Sequence, residues 1–244
     1  MSAPLLAVLG LGKRFGGLVA LSDVSFEVAR GETVGVMGAN GAGKTTLFSL
    51  IAGNARPTSG RVEVDGQSIA GLSPDRVCRL GVGRTFQIVK PFPALTVREN
   101  LRTAAMFGRA AMPNATAADR HTQPVLDALG LADAAGRPAA TLTLSGQKRL
   151  EIARAVATGA NLVLLDEVMA GLTPTEVAQM LETLRRLRES HGLTLLVIEH
   201  VMHALMDLCS RIVVLHHGER IAIGTPDEIG TDPRVLAAYL GSGQ

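Results

Sequence analysis

Three short apolar runs open the chain, "LLAVLGL", "LSDVSFEV" and "ETVGVMG". Each is strand-sized, and Gly and charged residues punctuate them as turns require. The third passes through glycine-rich sequence into "KTTLFSLIAG", a helix-like segment closed by Gly53. "GRVEVDG" reads as a further strand between turn glycines. From about Thr96 to Leu131 the texture turns alanine-rich and helix-permissive, with Val125, Leu126 and Leu129 on one apolar face. From "NLVLLDE" onward strand and helix patterns alternate through "TEVAQMLETLRRLRES", "LTLLVIEH" and "RIVVLHH". That alternation predicts a parallel sheet with crossover helices. "HHGERIAIG" predicts a hairpin and "DPRVLAAYLG" a closing helix. The economical expectation is one α/β core interrupted by a helical insertion.

Composition narrows the class. With 244 residues, 47% of them hydrophobic, the chain has ample material for a buried core. A net charge of +2 suggests neither an acidic tail nor a basic nucleic-acid surface. Aromatic residues are only 3% and Trp is absent, which argues against a base-stacking platform. Cys78 and Cys209 fit a reduced interior better than a disulfide framework. The apolar start "PLLAVLGL" is too short to span a bilayer and lacks a positive leader, so a soluble cytoplasmic polypeptide is expected.

Candidate chemistry begins at "GANGAGKTT", residues Gly38, Ala39, Asn40, Gly41, Ala42, Gly43, Lys44, Thr45 and Thr46. The pattern is G-x-x-x-x-G-K-[ST] between a predicted strand and a predicted helix. Backbone N–H groups must converge on phosphates there, and side chains would block the approach. Lys44 would reach the β- and γ-phosphates of ATP, and the Thr45 hydroxyl would ligate Mg²⁺. The helix N-terminus adds about 0.3–1 kcal/mol per anionic group. "NLVLLDE" supplies the acids: Asp166 for the Mg²⁺ shell, and Glu167 beside the attacking water as general base or orienting group.

In order, the phosphate loop, "RTFQ", "LTLSGQKRLEIARA", "LVLLDE" and "VIEH" resemble the ATP-binding cassette (ABC) ATPases over essentially the whole chain. The resemblance implies a P-loop NTPase core of mixed or parallel sheet with an N-terminal antiparallel β subdomain and an inserted α-helical subdomain. The expected single domain, 1–244, divides into a core at 1–90 and 158–244 and an insertion at 91–157. The resemblance also implies Gln87 as a metal and water contact that relays nucleotide state, His200 as a γ-phosphate contact, and Phe15 as the adenine-stacking aromatic.

The family signature L-S-G-G-Q is altered here. Counting back from "IAR" without gaps places Leu142, Thr143, Leu144, Ser145 and Gly146 under its five letters. Matching by residue type aligns "LSGQ", Leu144 to Gln147, after deletion of one glycine. In either register a hydroxyl and Gly146 stand at a helix start, with Gln147 close behind. Ser145 is the expected contact to the phosphate of a partner subunit's ATP, with Thr143 the alternative. "DEV" also departs from the usual D-E-P, so Val168 lacks the φ that proline fixes.

"GRTFQIVKPFPALTVRENL", "GLTPTE" and "DPRVLAAYLG" resemble branched-chain amino-acid uptake ATPases. The implied assembly is a head-to-tail dimer with the same or a second cassette ATPase, docked on integral membrane permease subunits. It would sit on the cytoplasmic, inner face of the cell membrane and be served indirectly by a solute-binding protein. Phe86, Ile88, Val89, Phe92 and Leu95 offer apolar surface beside Gln87, for the permease or for the subdomain's own packing. The alternatives are a lipopolysaccharide-export-like cassette and a weakly hydrolysing nucleotide sensor. A nucleic-acid or ribosome cassette is disfavoured by the near-balanced charge and the lack of a heptad run.

Overall fold

The computed structural model describes residues 3–85 and 91–240. In chain order the elements are β1 (Leu6–Phe15), β2 (Leu18–Val28), β3 (Thr33–Met37), α1 (Lys44–Ile51), β4 (Ser59–Val64), β5 (Gln67–Ser68), α2 (Pro74–Arg79) and β6 (Val82–Arg84). There follow α3 (Val97–Phe107), α4 (Ala115–Ala128), α5 (Leu144–Ala157), β7 (Leu162–Asp166), α6 (Pro174–His191) and β8 (Thr194–Ile198). The chain closes with α7 (Met202–Leu208), β9 (Arg211–His216), β10 (Glu219–Gly224), α8 (Pro226–Thr231) and α9 (Pro233–Leu240).

These elements form two compact units, residues 1–74 with 194–244, and residues 75–193. The first unit holds an antiparallel sheet in the order β2-β1-β4-β5 and a second set ordered β10-β9-β3-β8. In that second set β3 runs parallel to β8 and β9, while β9 and β10 form the expected hairpin. Every residue of β3 and β8 is buried, which is why both read as unbroken apolar runs rather than alternating ones. Along β1, register shifts after Val8 and Leu11 break the pairing with β2, so alternation there is imperfect.

The second unit carries the parallel pair β6–β7 and helices α3 to α6. The alanine-rich stretch is two helices: Val97, Leu101 and Ala105 form the buried stripe of α3, and Val125 and Leu126 that of α4. In α5, Leu150, Ala153 and Ala157 are buried at helical spacing. Thr96 with Glu99 and Thr173 with Glu176 form reciprocal capping boxes, and Asn114 caps α4. The short elements β5, α2 and β6 carry too few residues to give a periodic signal, and only the folded chain reveals them. No helix among the described residues is long and apolar enough to cross a membrane.

Candidate nucleotide site

In the first unit, buried β3 ends at Met37 and the chain turns through Gly38–Gly43 into α1. Gly43 is the N-cap at φ +102°, a left-handed conformation that glycine adopts without steric penalty. It offers no capping side chain, whereas α3, α4, α5 and α6 each have a Thr or Asn doing so. The first-turn amides of α1 lack intrahelical acceptors by geometry, so this end is left to an anion. Lys44 is buried, and its ammonium donates to Gly38 O at 2.7 Å and Ala39 O at 3.0 Å. These bonds keep the charge at the loop. Thr45 is exposed at the second helical position.

Two further first-unit residues were singled out by resemblance. Phe15 ends β1 with 53% of the residue exposed, and Lys13 Nζ lies 4.7 Å from its ring centroid. An exposed aromatic face at a strand end suits stacking with a flat base. His200 is exposed just after β8.

In the second unit, β7 buries all five residues and delivers Asp166 at its end with only 1% exposure. Arg84 of β6 donates to Asp166 Oδ2 at 2.9 Å. Asp166 Oδ1 is buried with no hydrogen-bond partner among the described residues. An orphaned anionic oxygen of this kind fits a hard cation such as Mg²⁺, which takes oxygen donors and is commonly held by one or two carboxylates plus phosphates. The described residues contain no cluster of three or more His, Cys, Asp or Glu able to hold a metal by themselves. Glu167 follows at φ +52°, a conformation uncommon for residues other than glycine. The buried ammonium of Lys148 donates to its carbonyl at 2.8 Å, which braces this strained backbone.

The signature segment resolves as a capped helix. Thr143 is the N-cap of α5, exposed, and its hydroxyl accepts from the Gly146 N–H at 3.2 Å. Gln147 Nε2 donates to Leu142 O at 3.1 Å, tying the turn before the helix to its first coil. Ser145 lies inside the first turn, 7% exposed, with its Oγ buried and unpartnered among the described residues. Gln87, Phe86, Ile88 and Val89 lie outside the described residues. Phe92 is partly exposed and stacks under the Arg154 guanidinium, 5.1 Å from its centroid.

A family model described as "ABC transporter" matches residues 21–170. The chain belongs to the ABC transporter family. It is an ABC ATPase, and a second family model, "Branched-chain amino acid ATP-binding cassette transporter", matches residues 219–244. The chain is 41% identical to LivG of Escherichia coli (strain K12), a high-affinity branched-chain amino acid transport ATP-binding protein, over 99% of both chains. It is 39% identical to BraF of Pseudomonas aeruginosa, described in the same terms, again over 99% of each. A crystal structure of an ATP-binding cassette of an ABC transporter in its ADP conformation superposes with a TM-score of 0.89 at 28% identity, covering 98% of this ABC ATPase and all of that chain.

Residues that motif reading passed over are Arg84, Thr85 and Lys148, all of which hold the acidic strand end. Arg84 stands inside the quoted string "GRTFQ". Its partner Asp166 lies 82 positions along the chain, so local pattern carries no signal for the contact.

Proposed function

We propose that this ABC ATPase energises the uptake of branched-chain or related amino acids through integral membrane permease subunits at the inner face of the cell membrane. The observation that carries the reading is the uncapped start of α1, with Lys44 held in its loop, in a chain that aligns end to end with LivG. ATP phosphates bind the Gly38–Thr46 amides and Lys44, with Phe15 against the base. Thr45, Asp166 and Gln87 hold Mg²⁺, which when bound neutralises charge on the phosphates. Glu167 orients or deprotonates water, and His200 contacts the γ-phosphate. Residues 91–157 act as a helical subdomain that receives the permease.

The chain works as a head-to-tail dimer with the same or a second cassette subunit, each lending its α5 start to the other's nucleotide. Thr143 is the hydroxyl presented to that phosphate, because it is exposed at the cap while Ser145 is buried. ATP then favours the closed dimer through contacts that only the closed state makes.

Co-purification from gently solubilised membranes tests the assembly. Two permease subunits and a cassette are the expected companions. ATP-driven uptake of leucine by proteoliposomes of that complex tests the cargo; transport of a sugar or urea instead would overturn the amino-acid assignment.

A further inference from the structure

The last residue of β6, Arg84, and Thr85 just after it grip the acidic end of β7. Arg84 donates to Asp166 Oδ2 at 2.9 Å, with side-chain exposures of only 12% and 1%. The buried Thr85 hydroxyl accepts from the Asp166 N–H at 3.0 Å, and the Thr85 N–H donates to Leu164 O at 2.9 Å. The Thr85 bonds hold the backbone of the strand end, and the Arg84 bond commits Oδ2 of the carboxylate, while Oδ1 is buried with no partner among the described residues. A buried anion with one unsatisfied oxygen is unfavourable unless a cation completes it.

We propose that Arg84 is a positioning residue for the metal of the nucleotide, acting through Asp166. Its rigid guanidinium holds Oδ2 through Nη2 and so leaves Oδ1 for the metal, which a point charge on a flexible stem would do less well. The proposal rests on the ATPase reading above. It also ties the chain segment entering Gln87, three residues further on, to the metal-holding carboxylate.

The sign of one measurement separates positioning from plain electrostatics. Arg84 is a cation beside a cation site, so if its charge alone mattered, removing it would tighten metal binding. If it positions Asp166, removing it weakens metal binding. The test uses the purified chain with ATP, and Mn²⁺ as a paramagnetic stand-in for Mg²⁺, titrated by electron paramagnetic resonance. ATP binding is measured separately in EDTA. Arg84→Gln is expected to raise the Mn²⁺ dissociation constant about 10–100-fold with metal-free ATP binding unchanged. Arg84→Lys is expected to fall between. Unchanged or tighter Mn²⁺ binding in Arg84→Gln overturns the proposal. Should Arg84→Gln fail to bind ATP in EDTA, Arg84→Lys decides: weakened Mn²⁺ binding supports positioning, parental binding overturns it. Loss of ATP binding in the parent protein would overturn the ATPase reading itself.

Discussion

The Gly218 N–H donates to Ala42 O at 3.1 Å, which fastens the turn of the β9–β10 hairpin to the middle of the phosphate loop. Gly218 also accepts at its carbonyl from the Ser22 N–H at 2.8 Å, so one residue clamps the loop, β2 and the hairpin together. On the same side, a Cβ at Gly38 would stand 2.4 Å from Leu215 O. The Gly38–Thr46 loop is thus shaped from behind by a strand pair about 180 residues away in the chain, and its geometry does not rest on its own glycines alone.

Gly218→Ala is expected to destabilise the protein and weaken ATP binding together. Gly218 sits at φ +82°, and an added Cβ would meet Ala20 O at 2.8 Å, where only backbone can yield. The left-handed conformation alone costs about 1–2 kcal/mol for an alanine. Thermal unfolding and ATP titration of the purified variant check this.

Thr143→Ala and Ser145→Ala should part company. The first removes a helix cap, worth about 0.5–2 kcal/mol, and a hydroxyl exposed for phosphate, so both stability and dimer-dependent ATPase rate fall. The second deletes a buried hydroxyl with no partner among the described residues, a change expected to be neutral or mildly stabilising. A Ser145→Ala enzyme with turnover as low as Thr143→Ala would return the phosphate contact to Ser145.

Glu167→Gln is expected to lower ATP hydrolysis about 10²–10⁴-fold while ATP still binds. The amide keeps the side chain's size, so the strained backbone held by Lys148 is undisturbed. Steady-state hydrolysis alongside nucleotide titration separates the two effects.

Alkaline stability should carry a signature of Cys209. Burial, and secondly the charge of Glu199, push its thiol from the ordinary 9.0 up to about 12. Between those values the unfolded chain has released the proton that the folded chain retains. Stability therefore falls as pH rises from about 9 towards 12, and below 9 the thiol contributes no slope. Urea unfolding of the parent and Cys209→Ala at pH 8 and pH 10.5 should show a shallower fall in the variant, whatever constant offset the lost sulfur introduces.

Much of this protein is written in local pattern. The buried strands β3, β7 and β8 announce themselves as unbroken apolar runs because both their faces are covered. The cradle at Gly38–Thr46 is legible because contacts to phosphate through backbone amides demand small residues at set spacing. Helix starts at Thr96 and Thr173 are legible because a capping hydroxyl and a Glu three residues on serve the same orphan amides.

Other features depend on three-dimensional packing. Local pattern favours Ser145 over Thr143 as the phosphate contact, since each is a hydroxyl near a glycine and only Ser145 falls within the "LSGQ" match. Burial and helix capping distinguish the two hydroxyls, Thr143 at the N-cap of α5 and Ser145 buried behind it, and both depend on where the helix begins against its neighbours. Arg84 and Gly218 gave no signal by spacing, because their partners Asp166 and Ala42 lie far along the chain and meet them only once the strands have paired. Residue type and short-range period fix what the backbone can do locally; which side chain is covered, committed or left over is decided by contacts between distant segments.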